Sequence, residues 1–303
     1  MKTLLVPIDP ATAEHTLAYA NKLAVRWPAE IVLLYCPDDT ATDQPPLAAA
    51  AHEQRLRTLA ERLRYQQLTR QDGRRIRYHY RVLAGSLPQH LAAEVTRCAA
   101  DLVVLGLPPT DARHPRLPGL EAATITSVVP CPVLVVPPGR RPLPNRLAFM
   151  ADFASLGLHV LPRLSALQAA FPAPLDLLQF YAPAQRPQRR ALKQALTRAA
   201  SQLTWPAVAT HLLEDDAPLE GSSEFCARTQ AQLLIISPTS TAQLLAYFDH
   251  CYTTTRAYHT QIPVLVLRAP EYSASTACCA RCAERLAQPA PRLRPDYHAV
   301  HWG

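Results

Sequence analysis

Cys131-Pro132-Val133-Leu134-Val135-Val136, near the middle of the chain, is answered in the second half by Ile262-Pro263-Val264-Leu265-Val266-Leu267. Both are short, nearly continuous apolar runs entered through a proline. Such a run reads as a strand buried on both faces, as strands of parallel sheets are. Proline suits the first residue of a strand, where no ladder amide is lost. The same strand written twice points to a duplicated domain.

The elements around the first copy give its fold class. Leu4-Leu5-Val6-Pro7-Ile8-Asp9 is a buried strand, and 12–24 is a helix with Leu17, Ala20, Leu23 and Ala24 at helical spacing. Ile31-Val32-Leu33-Leu34-Tyr35 is a second strand, followed by a long helix over 47–68 rich in alanine and arginine. A strand over 75–83, a helix over 87–99, a strand over 102–105 and a helix over 120–128 lead into the proline-entered run. Strands alternating with helices predict right-handed βαβ units and a parallel sheet covered on both faces. The second half repeats the order through Leu147-Ala148-Phe149-Met150-Ala151-Asp152, the run 175–181 and Leu233-Leu234-Ile235-Ile236. The interval from Asp9 to Asp152 is longer than the one from Cys131 to Ile262, which the other late landmarks share. The second copy is therefore about a dozen residues shorter in its middle, where the first carries Pro45 and Pro46. The expected class is α/β, with two tandem doubly wound, Rossmann-like domains of five parallel strands each. Their bounds are 1–139 and 146–270, with a proline-stiffened linker at 140–145 and a Cys/Pro-rich tail at 271–303.

Composition limits the function classes. At 303 residues and 49% apolar content the chain can bury two cores, and 18% charged residues are too few for a disordered chain. No run of 18 apolar residues occurs, and Asp9 interrupts the apolar stretch an export signal would need, so a cytoplasmic protein without membrane partners is expected. Of the eight cysteines, Cys36, Cys98, Cys131, Cys226 and Cys251 stand singly in apolar or helical segments, as buried reduced thiols do. The net charge of +7 permits acidic partners without demanding them. Glycine is scarce, 8 against 30 prolines, which matters because phosphate-binding loops need it.

The run Val6-Pro7-Ile8-Asp9, the helix-preceding Gly85, Asp101-Leu102-Val103-Val104-Leu105-Gly106 and the closing Pro130-Cys131-Pro132-Val133-Leu134-Val135-Val136 together resemble a universal stress protein domain. The resemblance covers 1–137 well and about 145–268 more weakly. It implies a regulatory protein of the stress response rather than an enzyme with its own catalytic centre. In nucleotide-binding members the fourth strand enters a loop of pattern G-x2-G-x9-G-[ST] that wraps phosphates. The aspartate ending the first strand and backbone near the end of the second meet the nucleoside. Carried onto this sequence, that set is Asp9, Cys36, Gly106 and Gly119, holding ATP or another adenine nucleotide in the first domain. The pattern is broken twice: Pro109 stands at the second glycine position and Leu120 at the hydroxyl position. Proline has no amide hydrogen and cannot take positive φ, while Arg113, His114 and Arg116 could offer phosphate contacts of another kind. In the second domain the matching positions are Ser237, Ser240, His250 and Cys251, with Asp152 the last of the contact set, so nucleotide binding there reads as lost. The resemblance also implies that the two domains pack as an intramolecular pseudo-dimer through their last strands, 133–136 and 264–267, with further homo-oligomers and unidentified protein partners open.

Three sharper readings compete with plain ones. Asp249-His250-Cys251 suggests a nucleophile pair, but adjacent residues on a helix point apart. Cys278, Cys279 and Cys282 with His298 and His301 could bind zinc, although the histidines are spaced too closely for a finger and the stretch between them reads as a solvated tail. A metal-dependent or hydrolytic enzyme using this Cys/His-rich C-terminal half is the rival function. Arginines at 140–141, 186–190 and 292–294 lack interleaved aromatics, so they read as solvated surface rather than a nucleic-acid face.

Overall fold

The computed structural model describes residues 1–10, 14–37, 46–68, 76–107, 118–238, 240, 243, 244, 247 and 262–268. These lie within one compact unit, Met1–Ala269. The first half runs β1 (Lys2–Pro7), α1 (Glu14–Arg26), β2 (Ala29–Tyr35), α2 (Pro46–Leu68), β3 (Tyr78–Val82), α3 (Leu87–Arg97), β4 (Leu102–Gly106), α4 (Pro118–Val128) and β5 (Val133–Val136). The second runs β6 (Leu147–Met150), α5 (Val160–Ala166), β7 (Leu175–Tyr181), α6 (Arg189–Gln202), β8 (Val208–Glu214), α7 (Pro218–Thr229), β9 (Leu233–Ile236) and β10 (Val264–Val266).

The two five-stranded sets join into a single ten-stranded sheet in the order β3-β2-β1-β4-β5-β10-β9-β6-β7-β8. Within each half the pairings are parallel, and the antiparallel pairing joins β5 to β10, with Leu134 opposite Leu265. The pairing registers keep the two intervals of the sequence repeat. Leu4 faces Leu102 in the first half and Leu147 faces Leu233 in the second. The step from Leu4 to Leu147 equals that from Asp9 to Asp152, and the step from Leu102 to Leu233 equals that from Cys131 to Ile262. The helix ends repeat as well. Ala99 and Gln230 both carry positive φ, and Ala100 and Ala231 both donate their amides back into the helix just ended, to Val95 and Cys226. A left-handed residue after the helix satisfies carbonyls that the last turn would otherwise orphan.

Alternate strand residues divide the core. On one face a single cluster passes through both halves, joining Leu4, Val6, Leu134 and Val136 to Leu147, Phe149, Leu265 and Leu267. On the other face the cores separate, one around Leu5, Leu91 and Val133, the other around Phe180, Phe225 and Val264. Ala123 on α4 belongs to the second of these clusters, so a first-half helix closes part of the second-half core. Arg268 fastens the same seam by donating to the Ser127 carbonyl of α4, while its own carbonyl accepts from Arg163 of α5 at 2.7 Å.

Two elements differ from the sequence reading. The third strand of the second half, β8, was not legible, because it is a sheet edge whose residues are mostly exposed or half-buried. Edge strands of this kind carry polar residues such as Thr210, His211 and Glu214 and lose the apolar signature. The run ending at Asp152 is strand only as far as Met150, because Asp152 bends the chain into a turn instead.

Candidate functional site

Strand order reverses direction at β1/β4 in the first half and at β6/β9 in the second, since the next strands lie on opposite sides. Open α/β sheets bind ligands in the crevice outside the carboxyl ends of strands at such switch points. The sequence candidates are read there.

In the first half β1 brings Asp9 to the carboxyl edge, where it is exposed, and β4 ends at Gly106. Cys36 follows β2 and is half-buried. Burial, with the Glu94 carboxylate second, pushes its thiol up to about 11, so it is protonated and a poor nucleophile at neutral pH. Gly106 has a packing role independent of any ligand. A Cβ there would stand 1.9 Å from Oγ1 of Thr16 and 3.3 Å from Nε2 of His15, so any side chain would have to displace the Thr16 side chain of α1. Gly85, entering α3, needs glycine for a different reason, its φ of +104°. Gly119 is the second residue of α4. Asp9, Cys36 and Gly106 therefore share one edge of the sheet. Pro109, Arg113, His114 and Arg116 lie outside the described residues, as do Asp249, His250, Cys251 and the tail with Cys278, Cys279, Cys282, His298 and His301.

The second half carries an open cavity of about 370 Å³ at the equivalent place. Its walls combine the ends of β6, β7 and β9 with the start of α7, bringing Met150, Asp152, Gln179, Phe180, Ser237 and Tyr247 together. Asp152 is fixed in a turn, accepting the Ala154 amide at 3.1 Å and the Ser155 hydroxyl at 2.6 Å. Gln179, 4% exposed, accepts the Phe153 amide at 2.7 Å and donates to the Phe180 carbonyl at 3.0 Å, which locks the loop after β6 onto β7. Two groups at the start of α7 are unavailable to an anion. Pro218 stands in its first turn without an amide hydrogen, and the preceding Ala217 amide is taken by Asp215 at 2.8 Å. The sequence identified Asp152 and Ser237 here but not Gln179, Phe180 or Tyr247. The one signal available was a glutamine inside a strand that is apolar apart from it and Asp176, Leu175-Asp176-Leu177-Leu178-Gln179-Phe180-Tyr181.

Ionic side chains gather elsewhere. Toward the amino ends of the second-half strands, buried Asp176 accepts from Arg146 at 2.8 Å and bonds His211 at 2.9 Å. In the first half, buried Glu94 on α3 is held by Arg97 at 2.6 Å and Arg81 at 3.2 Å. Burial alone would raise the Glu94 carboxyl, but the two guanidinium groups hold it below the usual range. Among the described residues no group of three His, Cys, Asp or Glu side chains could hold a metal ion, and no helix is long and apolar enough to cross a membrane.

Residues 1–137 match the model of the Universal stress protein family. No curated protein matches the chain. Among solved structures, a functionally unknown protein from Pseudomonas aeruginosa PAO1 is similar at 16% identity and a TM-score of 0.60, over 94% of this chain and 95% of that one. A universal stress protein from Archaeoglobus fulgidus DSM 4304 aligns at 12% identity and a TM-score of 0.59, over 89% of this chain and 97% of its own. The cytoplasmic domain of a prokaryotic cation chloride cotransporter aligns at 16% identity and a TM-score of 0.50, over 89% and 96%. At these identities the likeness is one of fold, and its spread over such different proteins leaves the ligand to be read from the site.

Proposed function

We propose, from the match of residues 1–137 to the universal stress protein family model, that the protein is a cytoplasmic regulator of the stress response that senses an adenine nucleotide through its first half. The observation that carries this reading is that Asp9 follows β1 and Gly106 ends the neighbouring β4, both at the carboxyl edge of the β1/β4 switch point. Asp9 would meet the nucleoside, backbone at Cys36 would flank it, and Gly106 and Gly119 would begin and end the phosphate segment. Close packing of Gly106 against Thr16 limits how near a phosphate can approach β4 from the α1 side, which favours weak binding. Output would pass through contacts with other proteins, the two halves acting as a fused pair joined at β5 and β10.

The test is calorimetric titration of ATP, with and without magnesium, into the protein and into Asp9→Ala. Saturable one-site binding that disappears in the variant is the expected result. No heat and no thermal stabilisation at millimolar ATP would remove nucleotide sensing from the reading.

A further inference from the structure

We propose that the second-half cavity is a separate binding site for a small amphipathic amine, a cationic ligand without phosphate. This goes beyond the nucleotide reading of the first half and does not depend on it.

At about 370 Å³ the cavity falls at the small end of the range for ligand pockets. Its walls are largely apolar, with two aromatic rings, Phe180 and Tyr247, set among Met150, Leu219 and Ile236. Asp152 is the one charged residue in the lining, and no lysine, arginine or histidine contributes to it among the described residues. Each Asp152 oxygen accepts one bond from its own turn, which holds the carboxylate in place and leaves further lone pairs for a ligand donor. The polar groups around it are neutral, among them Ser237 and the Gln243 side chain.

The described lining gives an anionic ligand no cation to pair with. At the start of α7, Pro218 has no amide hydrogen and the Ala217 amide is already held by Asp215, which leaves fewer donors for an anion there. A protonated amine fits instead. Its ammonium would pair with the exposed Asp152 carboxylate, and its apolar body would lie against Phe180 and Tyr247.

Phenethylamine is the probe, with 2-phenylethanol as its neutral counterpart and AMP as the anionic one, followed by ligand-observed saturation-transfer NMR on the full chain. Phenethylamine is expected to bind about threefold to fivefold more tightly than the alcohol, the scale of one solvent-exposed charged contact. Asp152→Asn should abolish that preference while circular dichroism and the melting temperature stay near wild type, since asparagine can still accept the Ala154 amide. Ser237→Phe, which fills the cavity, should abolish binding altogether, whereas Asp9→Ala should leave it unchanged. Equal binding of amine and alcohol, no binding of phenethylamine at millimolar concentration, or AMP binding that Ser237→Phe removes would each overturn the proposal. Because ATP titration reads Asp9 and this experiment reads Asp152 and Ser237, either site can fail without the other.

Discussion

Gly106 and Ser237 occupy the same place in the two halves, at the carboxyl ends of β4 and β9. In the first half α1, 13 residues long, packs so tightly on the strand end that a Cβ would collide with the Thr16 side chain. In the second half α5 has 7 residues and begins only after the turn built on Asp152, and a cavity lies beside a residue that carries a side chain. In the first half the glycine at this place seats a helix, while in the second half the serine at the same place lines a cavity. A motif glycine is evidence of close approach, but what approaches can be the protein itself.

A second contrast lies one helix away. Glu94 in the first half corresponds to Phe225 in the second, and Arg97 to Arg228. Where Glu94 gathers Arg81 and Arg97 into an ionic group, Phe225 takes His211 edge-on at 4.8 Å and lies 5.7 Å from the Arg228 guanidinium. One site on a shared scaffold has exchanged a buried carboxylate for an aromatic ring, and its neighbouring arginine changed from ion pairing to cation–π contact.

These contrasts can be broken by substitution. The largest effect is expected where the halves are not distinct. Leu265, fully buried in the cluster shared by both, should cost more than about 4 kcal/mol as Leu265→Asp, because it would bury an unpaired charge. Urea unfolding should show both halves weakened, while Leu158→Asp, at a 90% exposed position, should change stability by less than about 0.5 kcal/mol. A Leu265→Asp protein that loses under about 1 kcal/mol would mean the seam is not a common core.

Next, Gly106→Ala should cost about 1–3 kcal/mol through overpacking against Thr16, whereas Ser237→Ala should cost well under that. Adding Thr16→Ala to Gly106→Ala should restore most of the loss. Equal costs at the two positions, or no rescue, would refute the contrast between a seated helix and an open pocket.

Removing a partner of a buried carboxylate comes third. Arg146→Met leaves Asp176, 4% exposed at its side chain, with His211 alone. Since Arg146 is itself 41% exposed and screened by solvent, about 1–2 kcal/mol is expected. In the first half Lys2→Met breaks the more exposed pair with Asp101 and should cost less, by chemical denaturation at neutral pH.

The smallest effect is the acid response of Glu94. Its carboxyl is held below the usual value in the folded state, so its contribution is present above the unfolded value of about 4.5 and is lost as pH falls through the lower folded value. With both arginines well exposed, the contribution is under about 1 kcal/mol. Glu94→Gln should flatten that part of the stability–pH curve between pH 3 and 5, and Phe225→Leu should leave it unaltered. A variant with the wild-type acid slope would assign the dependence to other carboxylates.

Local pattern was enough to place most of this molecule. The buried runs at 133–136 and 264–266, the alternation of strand and helix, and the two repeat intervals follow from which residues are apolar and how often, a property each segment carries by itself. Asp9, Gly106 and Asp152 were also legible, since they follow strands recognisable from sequence. Tertiary structure alone decided the rest. β8 escaped notice because an edge strand needs no continuous apolar run. The joining of two sheets into one depended on β5 and β10 meeting edge to edge, a pairing between segments at the ends of different halves. The cavity belongs to Asp152, Phe180, Ser237 and Tyr247 jointly, residues that stand far apart in the chain. A void is set by how closely helices approach a sheet, and no single segment of sequence encodes that distance.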